Sequence, residues 1–188
     1  MKPRGISSGI RWCEEGKQVA EVFVKFEAVQ PKVSLKEALG RISHEFGIDS
    51  NGCNITIIDR YFLKINDEDV LPIVETLTSW LSEMGINKLT VYSENTHGKF
   101  AEALAKKMNG SVCCSYSDPF SNIHDRYWII CSDKSIKAVV SVGTSLNGLG
   151  KKYCSVNKLS EADVAQLEEF IGGKLCIKGS GTDSKKGC

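Results

Sequence analysis

The stretch NITIIDRYFLKINDEDVLPIVETLTSWLSEMGINKLTVYS, residues 54–93, decides the fold. It opens with an apolar run over 54–65, which is typical of a buried strand leading into a loop. An acidic start and apolar residues in helical spacing then predict a helix over 67–85, ending at Gly85. A further strand is predicted over 88–93. Strand, helix and strand in this order indicate a βαβ unit with parallel pairing.

The same alternation continues on both sides of this unit. Upstream, alternating apolar and polar residues predict a strand over 17–29, and the capping-box pattern S-x-x-E predicts a helix over 34–47. Downstream, a helix over 96–110 precedes a strand over 111–117. We therefore expect a sheet that is parallel in its first half.

The remaining elements indicate an antiparallel addition. Strand-like runs over 125–131 and 136–143 are joined by S-D-K-S, which is typical of a hairpin turn. A short strand within 151–159 and a serine-capped helix over 160–173 follow. The sequence thus predicts an α/β fold with a mixed, mostly parallel sheet and flanking helices.

The chain divides into one predicted domain and two flanking segments. The domain spans 17–173, and residues 1–16 are expected to be a leader, a linker or the edge of a larger protein. Residues 174–188 are small, polar and basic, which predicts a flexible tail.

The charge of the chain is balanced overall but uneven locally. The formal net charge is +1, which favours neither nucleic acid nor membrane as a partner. Residues 59–83 carry a net charge of −4, whereas residues 134–158 carry five lysines and no acid. The basic stretch is typical either of a solvated strand edge or of a surface that attracts a phosphate backbone.

The cysteines and histidines predict neither a metal site nor a disulfide framework. There are eight cysteines and three histidines, with no C-x-x-C pair and no zinc spacing. No secretory leader and no membrane-spanning run is evident. We expect a cytoplasmic protein with reduced thiols, no transmembrane segment, no cofactor and no metal.

The polar residues that suggest chemistry lie in NIHDRYWIICSDKSIKAVVSVGTSLNGLGKK, residues 122–152. His124 and Arg126 would share one face of a strand, since side chains repeat every second residue. Ser145 and Asn147, again two apart, would project together from the next element. An imidazole, a guanidinium, a hydroxyl and a carboxamide would then meet around one anion.

These residues resemble the signature of the phospholipase D-like superfamily. Its pattern is H-x-K, an aspartate after four further residues, and then a glycine, a serine and an asparagine. His124 takes the histidine position and Arg126 the lysine position, and Gly143, Ser145 and Asn147 take the later positions with one residue inserted. The segment IIDRYFL, residues 57–63, is similar to a strand and loop common in such domains, including bacterial single-motif members and the C-terminal domain of MIT-domain proteins.

The resemblance implies a domain that recognises or cleaves phosphodiesters, with nucleic acid as the expected partner. His124, Arg126, Ser145 and Asn147 would be catalytic, and Arg126, Gly143, Lys151 and Lys152 would bind the phosphate. Three departures bear on catalysis: arginine replaces lysine, Cys131 stands at the aspartate position, and the chain has one histidine motif where active members use two. A homodimer would supply the second imidazole.

Other interpretations stay open at this level. The pocket would serve equally as a non-catalytic module that binds a phospholipid headgroup or a protein partner. If His124 faces no ligand, it is expected to be a buried or half-buried imidazole bonded to Asp125 or to backbone. The P-loop-like run over 145–152 lacks the first glycine, the final Ser or Thr and the helix that nucleotide binding needs. His44 and His97 are expected to be ordinary helix residues.

Overall fold

The computed structural model describes residues 27–29, 33–108, 112–132 and 135–171. The elements in chain order are β1 (Glu27–Val29), α1 (Leu35–Phe46), β2 (Asn54–Ile58), α2 (Val70–Glu83), β3 (Lys88–Ser93), α3 (Lys99–Lys107), β4 (Val112–Ser115), β5 (Tyr127–Cys131), β6 (Ile136–Val142), β7 (Cys154–Lys158) and α4 (Glu161–Ile171). The predicted segments 1–16 and 174–188, and most of the strand predicted over 17–29, lie outside the described residues.

The strands form one mixed sheet in the order β1-β7-β6-β5-β2-β3-β4. Strands β2, β3 and β4 pair in parallel, as the βαβ unit requires. The other pairings within the described residues, β2 with β5, β5 with β6, β6 with β7 and β7 with β1, are antiparallel. The prediction of an α/β fold with a mixed sheet is confirmed.

The prediction of a mostly parallel sheet is wrong. Strand β1 has the same direction as β2, but β5, β6 and β7 lie between them. The hairpin strands are not added at an edge: β5 takes the place beside β2 that a parallel β1 would have occupied. Element order alone predicts parallel direction, but it does not predict which strand becomes the neighbour.

Local sequence signals fix several element boundaries. The Ser34 side chain accepts a hydrogen bond from the Glu37 amide at 3.1 Å, and α1 ends at Gly47 with a positive φ of 58°. A 3₁₀ turn over Asp67–Asp69 precedes α2, so that Pro72 lies in the first turn, where no amide donor is needed. Ser160 caps α4, with the Asp163 amide 3.2 Å from its hydroxyl.

Helices α1, α2 and α3 pack on one face of the sheet, and α4 packs on the other with the segment around Phe120 and Ile123. Alternate residues of β5 point to opposite faces, so Trp128 and Ile130 face the three helices, whereas Ile129 and Cys131 face α4. The Trp128 ring makes edge contacts with Phe62 at 5.8 Å and with Trp80 at 5.6 Å between centroids. Trp128 is fully buried and belongs to the core on the side of the three helices.

We expect Trp128→Ala to lower the free energy of unfolding by about 3–5 kcal/mol, because it leaves a cavity and removes two ring contacts. Urea denaturation followed by circular dichroism measures this change. The control Tyr153→Ala removes a side chain that is 70% exposed and should stay within about 0.5 kcal/mol of the unsubstituted chain. Equal changes in the free energy of unfolding for the two substitutions would contradict the packing of Trp128 in the core.

Candidate functional site

The candidate site lies where the carboxyl end of β2 meets the amino end of β5. These strands are antiparallel neighbours, with Ile58 opposite Tyr127. The chain leaves β2 at Asp59 and enters β5 from Arg126, so the register places the two residues side by side. The Arg126 carbonyl accepts a 2.9 Å bond from the Val142 amide at the end of β6. Three strand ends therefore converge on one point.

A carboxylate, a hydroxyl and a guanidinium form the centre of the site. The Ser145 hydroxyl donates to Asp59 Oδ1 at 2.9 Å and accepts from Arg126 Nε at 3.0 Å. Arg126 Nε also lies 3.4 Å from Asp59 Oδ1. The Asp59 side chain is fully buried, whereas that of Arg126 is 28% exposed. Ser145 thus connects a buried anion to a partly exposed cation.

The Asp59 carboxyl has an unusual electrostatic environment. Burial raises its pKa from the ordinary value of 3.8, and this outweighs the opposing hydrogen bonds from the Tyr61 amide and Ser145 and the attraction of Arg126. The Tyr61 amide donates to Oδ1 at 2.9 Å. Among the described residues, the buried Oδ2 atom has no hydrogen-bond partner. The carboxyl therefore holds a proton more tightly in the folded chain than in the unfolded chain.

A small pocket of about 100 Å³ opens beside this network. Its walls are residues 59–61 and 123–126, together with Tyr116 and Ser121, and we call it the Arg126 pocket. The Tyr116 hydroxyl donates to the Ile123 carbonyl, which fixes the wall that carries His124. Burial, followed by the nearby Asp59, raises the pKa of Tyr116. The pocket has room for a small ionic group.

His124 lies on the rim of the Arg126 pocket with an exposed side chain. Within the described residues, His124 does not form the bond to Asp125 that one interpretation expected, and the Asp125 carboxylate accepts from the Tyr127 hydroxyl at 3.2 Å. His124 and Arg126 also precede β5, which begins at Tyr127, so the prediction that they lie on a strand is wrong. Strand-bridge pairing to β2 starts only at Tyr127, opposite Ile58.

Ser145 and Asn147 separate after β6. Ser145 precedes a 3₁₀ turn over Leu146–Gly148, so Asn147 is rotated away and accepts from Lys151 Nζ at 3.4 Å. Lys151 also lies 3.5 Å from Asp69. The structure therefore brings together three of the four predicted catalytic residues, while Asn147 belongs to a neighbouring polar group.

The other residues predicted to bind phosphate lie apart from the Arg126 pocket. Lys152 and Gly143 are exposed, and a Cβ added at Gly143 would lie 3.1 Å from the Ser155 backbone. No helix directly follows the run over 145–152. Within the run, Gly150 adopts a φ of 74°, and a Cβ at this position would lie 2.4 Å from the Val33 carbonyl. This geometry agrees with the rejection of a P-loop.

Asp59 is the functional residue that the sequence interpretation missed. The aspartate position of the family signature holds Cys131, which is buried within β5. The carboxylate of the site is Asp59, which directly follows β2. A signal was present, since an aspartate directly after the apolar run I-T-I-I marks a strand end. Its partner could not be identified without knowing that β5 pairs with β2.

A second, wider cavity of about 530 Å³ lies at the carboxyl ends of β2 and β3, which we call the α3 cleft. It is lined by residues of the 63–67 loop and by 95–100, and His97 belongs to it. His97 precedes α3, which begins at Lys99, so its prediction as a helix residue is wrong, whereas His44 lies within α1. Lys99 forms an ion pair with Asp67 across the cleft.

Within residues 27–29, 33–108, 112–132 and 135–171, no group of three or more His, Cys, Asp or Glu side chains is arranged to hold a metal ion. None of the helices in these ranges combines the length and the apolar character needed to cross a membrane.

Comparison with known proteins gives no match: no family model, no curated protein sequence and no solved structure is similar to this chain. The geometry of the site is therefore the observation from which a function is inferred.

The raised pKa of Asp59 predicts a pH dependence of stability. A carboxyl whose folded pKa is raised contributes its full stabilisation below the unfolded pKa and loses it as pH rises through the folded pKa. We expect the free energy of unfolding of the unsubstituted chain, minus that of Asp59→Asn, to decrease as pH rises from about 4 towards neutrality. Urea denaturation at several pH values measures the difference.

The control for this measurement is Asp67→Asn, which removes an exposed carboxylate from a surface ion pair. The difference in free energy of unfolding between the unsubstituted chain and Asp67→Asn should vary less with pH. If the free energy of unfolding of the unsubstituted chain, minus that of Asp59→Asn, increases with pH, ionised Asp59 is stabilised by its partners. This result would contradict a pKa of Asp59 that burial raises.

Proposed function

We propose that this chain is a phosphate-recognising domain of the phospholipase D-like type, which binds the phosphate of a phosphomonoester or phosphodiester in the Arg126 pocket. The observation that carries the proposal is the fixed guanidinium. Among the described residues, Arg126 hydrogen-bonds through Nε, towards Ser145 and Asp59. Its two terminal nitrogens are left for a ligand, and a guanidinium edge suits two oxygens of one phosphate.

His124 supports this proposal as a second donor. Its exposed imidazole lies on the same pocket as Arg126. A protonated imidazole donates from both nitrogens and adds a positive charge beside the phosphate.

The size of the Arg126 pocket limits what it encloses. Pockets for whole small molecules have volumes of ~300–1,000 Å³, whereas this one has about 100 Å³. We infer that it encloses the phosphate and that the organic part of the ligand lies outside. Tyr61 lines the Arg126 pocket, and Lys64, which lies over the Tyr61 ring at 5.9 Å, lines the α3 cleft. The two cavities therefore adjoin.

Nucleic acid is the ligand that we propose first. The neighbouring α3 cleft has room for a nucleotide, and Lys64 on its wall would attract the next phosphate. A non-catalytic module that binds a phospholipid headgroup or an acidic group of a protein partner would use the same Arg126 contacts. Cys53, Cys113 and Cys154 are free thiols, which fits the proposed cytoplasmic location.

Hydrolysis by a homodimer is the second candidate function, and the exposure of His124 favours it. Phosphodiester cleavage through a nitrogen nucleophile also needs an acid for the leaving oxygen. Within the described residues, His124 is the one imidazole on the Arg126 pocket, because His97 lies in the α3 cleft and His44 on α1. A twofold partner would have to contribute the second imidazole.

We expect Arg126→Gln to weaken binding of inorganic phosphate and of a short single-stranded oligonucleotide by about tenfold or more, because it removes a charge-assisted contact. Isothermal titration calorimetry measures the former and fluorescence anisotropy the latter. The control Arg41→Gln removes the same charge from the surface of α1, where Arg41 pairs with Glu37, and should leave both affinities unchanged. Equal affinities for the two variants would exclude the Arg126 pocket as the phosphate site.

Hydrolysis is tested by measuring the rate at which the chain, in a known oligomeric state, cleaves a chromogenic phosphodiester. If the dimer is active, His124→Ala should lower its rate at least about a hundredfold, the size expected for loss of a general acid or base. The matched control His44→Ala removes an exposed imidazole of α1 that lines neither cavity. A strictly monomeric chain in sedimentation equilibrium, or equal rates for His124→Ala and the unsubstituted chain, would exclude this candidate and leave the binding domain.

A further inference from the structure

The buried carboxyl of Asp59 uses its two oxygen atoms unequally. Oδ1 accepts from the Tyr61 amide at 2.9 Å and from the Ser145 hydroxyl at 2.9 Å, and it is the atom nearest to Arg126 Nε, at 3.4 Å. Oδ2 is buried and has no hydrogen-bond partner among the described residues. A proton can therefore be added at Oδ2 without breaking either hydrogen bond to Oδ1. The position of Arg126 is retained while the charge beside it disappears.

The charged and titratable groups around Asp59 come from four segments of the chain. The closest is Arg126, which contacts Asp59 directly. Arg60 is exposed and is neutralised by Glu94 at 2.8 Å. The other titratable groups on the Arg126 pocket are the phenols of Tyr61 and Tyr116 and the side chains of His124 and Asp125. His124 is a further ionisable group on the same pocket, so its contribution is separated from that of Asp59 by substitution.

We propose that Asp59 is a positioning residue that also sets the charge of the Arg126 pocket: as a carboxylate it neutralises Arg126, and as a carboxylic acid it holds the same side chains in place and leaves the guanidinium charge to the bound anion. This inference rests on the proposed function, and it adds a regulating residue that acts through Arg126 without touching the ligand.

The sign of the effect follows from the charges. An anion in the Arg126 pocket is attracted by Arg126 and repelled by ionised Asp59, and both interactions are strong because the carboxyl is buried. Adding a proton to Asp59 removes the repulsion, so anion affinity increases as pH falls. Burial also raises the pKa of Asp59 above 3.8, which moves the transition towards the physiological range. By linkage, a bound anion must raise the pKa of Asp59 further.

The experiment uses inorganic sulfate, whose charge stays constant between pH 4.5 and pH 8. All chains carry His124→Gln, which removes the imidazole from the Arg126 pocket. Calorimetry of the His124→Gln chain should show an affinity that falls by about tenfold or more as pH rises across this range. The Asp59→Asn/His124→Gln chain should bind with one pH-independent affinity, at least equal to that of the His124→Gln chain at low pH, because asparagine retains Oδ1 and is neutral.

The outcomes separate this inference from the proposed function. One outcome is that sulfate binding is lost in Arg126→Gln but keeps its pH dependence in the Asp59→Asn/His124→Gln chain. This result would overturn the role of Asp59 and leave the phosphate site intact. Sulfate binding that survives Arg126→Gln would overturn the phosphate site itself and this inference with it.

A second measurement does not depend on the folding of the Asp59→Asn chain. Carbon-13 spectra of the Asp59 carboxyl in the His124→Gln chain give its pKa with and without saturating sulfate. A higher pKa in the presence of sulfate supports the inference, because linkage requires it. An unchanged pKa shows that the two sites do not interact and overturns it.

Discussion

The antiparallel pairing of β2 with β5 is the constraint on which the rest of the structure depends. It inserts the β5-β6-β7 meander between the parallel half of the sheet and β1, so both halves share one continuous core. It also places the end of β2 beside the start of β5, where Asp59 contacts Arg126. The same register that packs Trp128 between the sheet and the helices therefore builds the polar network at the strand ends.

The polar network depends on this register in a second way. A buried carboxylate is costly unless it is paired, and the Asp59 side chain is fully buried. Arg126 and Ser145 provide the pairing from two further strand ends, and the Tyr61 amide provides it from the loop after β2. The site is thus a set of mutually dependent contacts that come from distant parts of the chain, and each contact needs the sheet to be complete.

Much of the fold could be predicted from the sequence, because local signals decide local structure. The Ser34 cap, the glycine ends of helices and the apolar runs gave elements that the structure confirms over most of the described chain. The proportion of parallel pairing could not be predicted, since neighbour choice in a sheet is a tertiary property. The site was predictable where residues are close in sequence, as for His124 and Arg126. Asp59, which lies 67 positions before Arg126 in the chain, needed the register.

Alternation along β5 has a consequence for any variant of the core. A slip of β5 by one position would exchange its two sets of side chains, turning Trp128 towards α4 and Ile129 towards the three helices. The same slip would displace Arg126 by about 3.3 Å, the rise of one strand residue, and would disrupt its contacts with Asp59 and Ser145. The packing of the Trp128 indole among the aromatic rings therefore fixes the register of β5. Through this register it also fixes the distance between Asp59 and Arg126 at the strand ends.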